Sequence, residues 1–305
     1  AVANAENNFN MDVEKLYDLD PTRIHSINIL KDAAATALYG SRAANGVIVV
    51  ELRAPEAGKL RLQYNTTLTM EMPDLSSYNL MTASEKLEAE RLAGLYDSNT
   101  PSISPYTNAY YQRMNNIIQG VDTYWLALGL RTAFSQRHSI YVDGGENNVR
   151  WGVELNYNGN NGVMQKSDRN VTGAGFYIDY RIGKFQVKNK TTFTFGNSND
   201  VPFNSFSDYS HLNPYLRIYD EDGNYLRKLE SFSGYAGTLV NPLYEIHNYN
   251  SYDKTKYYEI VDNLLVNWNI TKDLRLRLQM SATIKRENSE LYKDPASASY
   301  GTGNL

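Results

Sequence analysis

Side chains able to do chemistry are sparse in this chain, and their spacing suits few reactions. The four histidines, His25, His138, His211 and His247, show neither HExxH nor His-x-x-x-His spacing, so no helix face gathers them into a metal-ligand set. Cysteine is absent, which removes thiol catalysis, haem attachment, disulfide staples and Cys-based zinc sites. There is no G-x-S-x-G elbow and no glycine loop able to cradle phosphate. Glu85, Glu88 and Glu90 crowd one stretch, but on a helix they read as a solvated face rather than an acid–base group. The string Asp220-Glu221-Asp222-Gly223-Asn224 opens like a calcium loop, yet the twelfth position is Ser231, where a bidentate glutamate is required. An Asp-Gly hairpin turn fits it better. No carboxylate pair stands out for glycoside hydrolysis. The expectation is a protein that is not an enzyme and carries no cofactor or metal.

What the composition does offer is a recognition surface. Tyrosine occurs 25 times against 9 Phe and 3 Trp. A tyrosine tolerates one apolar and one wet neighbour, which suits interfaces and sugar-contacting surfaces. The rings crowd residues 198–256 among Asn and Ser, and Tyr209, Tyr215, Tyr219, Tyr225 and Tyr235 are the candidate ligand contacts. A net charge of −4 with pI near 5.7 argues against nucleic acid as a partner.

The elements that must hold these residues show two different periods. Near the start, Ile24–Leu30 and residues 47–50 read as strands around a helix over residues 33–39, with Asp32 as its cap and Gly40 as a left-handed stop. That gives a small βαβ-like unit, preceded by polar, irregular residues 1–23. Residues 53–58 are a breaker-rich linker and the expected domain boundary, with one unit over 1–54 and a second over 55–305.

Beyond the linker the period becomes two. Leu60, Leu62, Tyr64, Leu68 and Met70 alternate with Arg61, Gln63, Asn65, Thr67 and Thr69, and seven such runs follow one another. Gln136, His138 and Asp262 are the exceptions, polar residues in the apolar register, with Asp262 expected above any lipid. A run of a dozen residues is long for a soluble strand but suits a tilted membrane strand of about 9–11 residues. Short connections (residues 143–147, 183–184 and 271–273) alternate with long ones (73–130, 158–168 and 198–256), as in an outer-membrane barrel with its short turns facing the periplasm. Trp151, Tyr180 and Trp268 lie in the apolar register near the short turns, and Phe134, Tyr157, Phe195 and Tyr258 near the long connections, as two aromatic girdles would. Arg61, Gln63, Arg275, Arg277 and Gln279 would line the wet side. Mean hydropathy is −0.52 and no run approaches the 18 apolar residues of a membrane helix, but alternating strands hide their hydrophobicity. The rival from alternation alone is a soluble, carbohydrate-binding β-sandwich. Residues 82–96 read as a helix with a Thr82…Glu85 capping box.

One string is more specific than any period. SINILKDAAATALYGSRAANGVIVV, with Leu30, Lys31, Asp32, Tyr39, Gly40, Arg42, Asn45 and Gly46, closely resembles the end of the plug domain of SusC/RagA-type TonB-dependent outer-membrane transporters. GVDTYWL at residues 120–126 is similar to a string of the same family, and residues 144–145 (GG) and 241–244 (NPLY) are weaker echoes. The resemblance implies a mostly β chain: part of a plugged, antiparallel transmembrane β-barrel with a small α+β plug segment. It implies TonB-dependent import of a large nutrient, oligosaccharide or peptide, across the cell outer membrane. The implied partners are the TonB complex (through a segment upstream of residue 1), a SusD-like surface lipoprotein acting as a lid, and outer-membrane lipid. Residue 1 would then already lie inside the plug, and Leu305 would precede closure of the barrel. The Tyr39–Arg42 corner would sit in the lumen.

Overall fold

The computed structural model describes residues 2–4, 9–11, 20–30, 47–97, 105–202, 204–230 and 239–297. Its first sheet has the order β2-β1-β4-β3, built from β1 (Val2–Asn4), β2 (Phe9–Met11), β3 (Ile24–Leu30) and β4 (Val47–Leu52). Here β3 and β4 pair antiparallel and directly, Leu30 opposite Val47. The βαβ-like unit is thus corrected to an antiparallel pair, with β1 parallel to β4 on its other edge. Residues 1–23 are also less irregular than expected: they contribute β1, β2 and a 3-10 turn at Pro21–Arg23. Asp20 caps that turn, its side chain accepting from Thr22 N at 2.9 Å. The LKD…NG string from Lys31 to Gly46, including Asp32, Tyr39, Gly40, Arg42 and Asn45, lies outside the described residues.

The second sheet is an antiparallel meander of seven strands: β5 (Gly58–Glu71), β6 (Ala133–Gly145), β7 (Val149–Asn161), β8 (Asp168–Ile182), β9 (Phe185–Asp200), β12 (Tyr252–Asn269) and β13 (Arg275–Tyr292). Each strand pairs with its sequence neighbour. Short turns close one end at residues 146–148, 183–184 and 270–274, where Gly183 takes a φ of 55° that only a residue without Cβ adopts cheaply. The other end carries connections 72–132, 162–167 and 201–251. The middle one is shorter than the 158–168 loop expected, because the ladder of β7 runs on through Asn161.

The two faces of this sheet are inverted relative to a water-soluble protein. Leu60, Leu62 and Leu68 of the apolar register are 67%, 69% and 75% exposed. On the polar register Ser139, Asp143 and Asp179 are 3%, 1% and 6% exposed. A soluble sandwich would bury the first face, and no described segment covers it. Asp262 does not lie beyond the apolar stretch. It sits within β12 between Tyr258 and Trp268, where its Oδ1 accepts from Asn189 Nδ2 at 3.0 Å and Thr191 Oγ1 at 2.6 Å. His138, another misfit, shares a hydrogen bond of 2.7 Å with Tyr64 Oη on the same face. These side chains offset their exposure by satisfying each other.

Several strands bring a tyrosine ring over the bare backbone of a neighbouring glycine. A Cβ at Gly152 would collide with the Tyr141 ring, and one at Gly196 with Tyr257; Gly129 underlies Tyr209 in the same way.

The long connections fold together at their end of the sheet. They contain α1 (Ala83–Leu92), α2 (Pro105–Ile118), α3 (Trp125–Leu128), α4 (Phe206–Ser210) and α5 (Pro242–Asn248), with a two-stranded ribbon of β10 (Lys228–Glu230) and β11 (Leu239–Val240). The capping box at Thr82 and Glu85 is present as the sequence dictates. The hydrophobic cluster of Ala83, Leu87, Trp125, Tyr209, Tyr215, Leu216, Leu229, Leu243 and Ile246 draws on both long connections, making one cap.

Candidate functional site: the polar face and its cap

The polar face of the large sheet is occupied near its short-turn half by the segment around the 3-10 turn. Arg23 lies over the Tyr141 ring, Cζ 3.3 Å from the centroid, and its Nε is 3.8 Å from Glu154 Oε2. Arg23 Nη2 donates to Arg53 O at 3.1 Å, which ties the residues before β3 to those after β4. Asp20 accepts from Ser139 Oγ of β6 and from Asn65 Nδ2 of β5. Burial pushes the Asp20 carboxyl up, but the hydrogen bonds from Ser139, Thr22 and Asn65 outweigh it and hold the group below its usual range. Ser139, Tyr141, Glu154 and Asn65 all belong to the polar register. The 3-10 turn that leads into the first sheet therefore docks on the polar face, through polar contacts.

At the linker, Arg61 clasps Asp143 and Glu56, with Nε 3.2 Å from Asp143 Oδ1, and Glu56 N donates to the same aspartate at 3.1 Å. Arg61 is thus on the polar face, as the register implies. Arg275 likewise reaches Asn269 Oδ1 at 2.9 Å.

Towards the long-connection end the polar face opens into a cleft of about 460 Å³, lined by Glu71, Ser135, Asn160, Asn161, Asp168, Arg169, Ser198, Asn199, Asp200, Asp253 and Thr255. Nearly every lining side chain is a hydroxyl, an amide or a charge. Asp200 and Asp253 stand directly opposite each other on adjacent strands, and like charges so placed repel. Arg169 Nη2 donates to Tyr257 Oη at 3.2 Å. Such a lining supplies hydrogen-bonding groups to a polar ligand. Among the described residues no group of three or more His, Asp or Glu is placed to hold a metal.

Above the cleft the tyrosines divide. Tyr209 and Tyr215 are 1% and 0% exposed, so both are corrected from ligand contacts to cap core. Each ring at such burial contributes on the order of 2–3 kcal/mol, and each hydroxyl has an internal partner. Tyr209 Oη donates to Asn204 Oδ1 at 2.8 Å, and Tyr215 Oη to both Glu90 oxygens at 3.1 Å. Burial pushes both phenols well above their ordinary range, so they remain donors. Tyr219 is exposed, and Tyr225 beside it is half-buried against the cap core, so that the two rings form a ledge. Their rings are 5.0 Å apart, and Tyr225 stacks on His247 at 4.9 Å with an interplanar angle of 2°. The ledge stands on the Asp220–Asn224 turn, where Gly223 has φ 83° and Asp220 Oδ1 accepts from Asp222 N and Asn224 N. The Asp-Gly turn is as expected, and that carboxylate is committed to its own backbone. Tyr235 lies outside the described residues, as do Phe203 and Phe232.

No protein-family model matches the chain. The TonB-dependent receptor SusC of Bacteroides thetaiotaomicron is 28% identical over 152 residues, 49% of this chain and 13% of the relative. The TonB-dependent receptor P26 of Formosa agariphila is 28% identical over 229 residues, 72% of this chain and 21% of the relative. A structure of the RagAB peptide transporter superposes with a TM-score of 0.74 at 17% identity, over 94% of this chain and 35% of that one. The chain is similar to SusC-type TonB-dependent receptors. It spans about a third of the RagAB chain and a smaller share of the SusC-type receptors it matches. The fold is the mostly antiparallel β-fold of the RagAB structures.

The SusC-type string identified in the sequence is described only at its ends, residues 26–30 in β3 and residues 47–50 in β4. Two centres escaped sequence reasoning. Arg23 with Tyr141 and Glu154 is one, and the Asp20-Pro21-Thr22 cap was its available signal. The other joins Arg113 to Glu90 and Glu230, and Glu90 is corrected from a solvated helix face to a buried partner of Arg113. Arg113 is the lone charge of α2, a hint that it is buried against something.

Proposed function

We propose that this protein is part of a TonB-dependent importer of the cell outer membrane, with residues 1–54 as the C-terminal part of the plug and 55–305 supplying about the first seven strands of the barrel. The observation that carries this is the inversion of the large sheet: its apolar face is bare and its polar face is occupied by the segment around Arg23. Lipid covers the apolar face, and the small sheet plugs the wet side. Similarity to TonB-dependent receptors supports import rather than catalysis.

The ligand is a large, polar nutrient, an oligosaccharide or a peptide, bound in the cleft near Asp200 and Asp253 and against the ledge of Tyr219 and Tyr225. Aromatic faces stack on apolar sugar or peptide surfaces while hydroxyls and amides fix their orientation. A SusD-like surface lipoprotein closes over the cap as a lid, and the TonB complex engages a segment upstream of residue 1 to displace the plug. The rival, a soluble carbohydrate-binding β-sandwich, requires the Leu60–Leu62–Leu68 face to be covered.

The test is uptake and fractionation of the full-length protein in its own cells. The expected result is recovery in the outer-membrane fraction, detergent being needed for extraction, and uptake that stops when TonB is deleted. Recovery in the soluble fraction, or uptake indifferent to TonB, would overturn the proposal.

A further inference from the structure

A buried ion cluster spans the seam between the two long connections. Residues 72–132 contribute Glu90, Tyr96 and Arg113; residues 201–251 contribute Tyr215 and Glu230. The Arg113 guanidinium grips Glu230 with two bonds, Nε and Nη2 each at 2.7 Å. Its Nη1 donates to Tyr96 Oη at 2.7 Å and lies 3.4 Å from Glu90 Oε2. The Tyr215 ring centroid is 4.8 Å from its Cζ. The three charged side chains are only 6%, 9% and 12% exposed for Arg113, Glu90 and Glu230.

The chemistry of the seam follows from its charges. Without the guanidinium, the two carboxylates from different connections lose the cation between them; Lys86 Nζ, 3.5 Å from Glu90 Oε1, offsets part of one charge, and the repulsion that remains loosens the seam. With it, the same pair becomes an attraction that spans the seam. A planar fork with five donors meets this geometry, whereas a lysine ammonium does not. The surrounding cluster of Leu87, Tyr215, Leu216 and Ile246 supplies cohesion but little orientation.

We infer that Arg113 fastens connections 72–132 and 201–251 into one body, so that the cap loosens as a unit rather than loop by loop. The inference holds whatever the ligand is, and whether or not the chain is an importer.

Hydrogen exchange on the full-length protein in detergent tests it, followed over α1, α2, α4 and α5 together. Arg113→Met should speed exchange in all four helices by a common factor of about a hundredfold, while β6 and β7 stay protected. Adding Glu230→Gln removes the uncompensated repulsion and should restore protection to within about tenfold of the unaltered protein. Exchange that quickens in α2 alone, or a double variant no better than the single, overturns the inference. If Arg113→Met does not assemble, Arg113→Lys carries the same test: a smaller common shift of about tenfold supports it, and unequal shifts among the helices overturn it.

Discussion

Arg23 and Tyr141 are stacked face to cation, 3.3 Å between guanidinium carbon and ring centroid, across the junction of the two sheets. The contact joins a residue of the 3-10 turn to one in β6, and Glu154 of β7 completes it. A cation held over a buried ring contributes about 2 kcal/mol. That contribution holds the segment leading into the small sheet against the polar face of the large one.

Arg23→Met should therefore loosen the seat without unfolding the large sheet. Amides of β3 and β4 are expected to exchange about thirtyfold faster, the equivalent of about 2 kcal/mol, with β6 and β7 unchanged. Unaltered exchange in β3 and β4 would mean that other contacts hold the segment.

Leu278 and Gln279 are neighbours in β13 at one depth, but their side chains leave opposite faces. In the full-length protein in a bilayer, Leu278→Arg should cost about 2–4 kcal/mol and Gln279→Arg much less. Equal losses in the two folding equilibria would sink the assignment of a lipid face.

His247 gives the cap a pH response. Partial burial, and then the Lys166 ammonium, hold its imidazole below the ordinary range. The folded state thus binds its proton less readily than the unfolded chain. The stability this contributes is present above about pH 6.5 and is lost as pH falls below that value towards the folded midpoint. Proton NMR of the ring should give a midpoint below about 6.5, and His247→Gln should flatten the low-pH decline of the cap. A midpoint above that of a free histidine would contradict the burial and the Lys166 proximity that lower it.

Gly152→Ala should push the Tyr141 ring aside and loosen Arg23 with it, at a cost of about 1–3 kcal/mol, typical of overpacking. In a Tyr141→Ala background the same change should be nearly neutral, and a thermal-melting double-mutant cycle measures the difference. Additive losses would show that ring and glycine are independent.

The alternation of Leu60 to Met70 and its successors made the meander legible, since a period of two with long runs specifies both strand and face. It fell silent at the outer ends. Residues 158–161 (NGNN) and 197–200 (NSND) are polar on both faces, so β7 and β9 continue there by backbone pairing with no pattern to announce it. The capping box marked α1, but α4 and α5 are too short to show a period. Composition named the tyrosines without telling which rings point in. Tyr215 and Tyr219 are four residues apart, one fully buried and one 45% exposed, and tertiary contacts with Glu90 decide between them. The Arg113 cluster was invisible for the same reason, because its carboxylates come from positions 23 and 117 residues away.

The seating of Tyr141 over Gly152, and of Tyr257 over Gly196, has a consequence for how this sequence is able to drift. In each pair the ring occupies the volume where the other residue's side chain would stand. A bulkier residue in place of the glycine evicts the ring, and a smaller one in place of the tyrosine leaves a hollow. A change at either position alone carries a cost that a matching change at its partner offsets. A chain with 25 tyrosines and 20 glycines then carries part of that composition as mutual obligation, inherited two residues at a time.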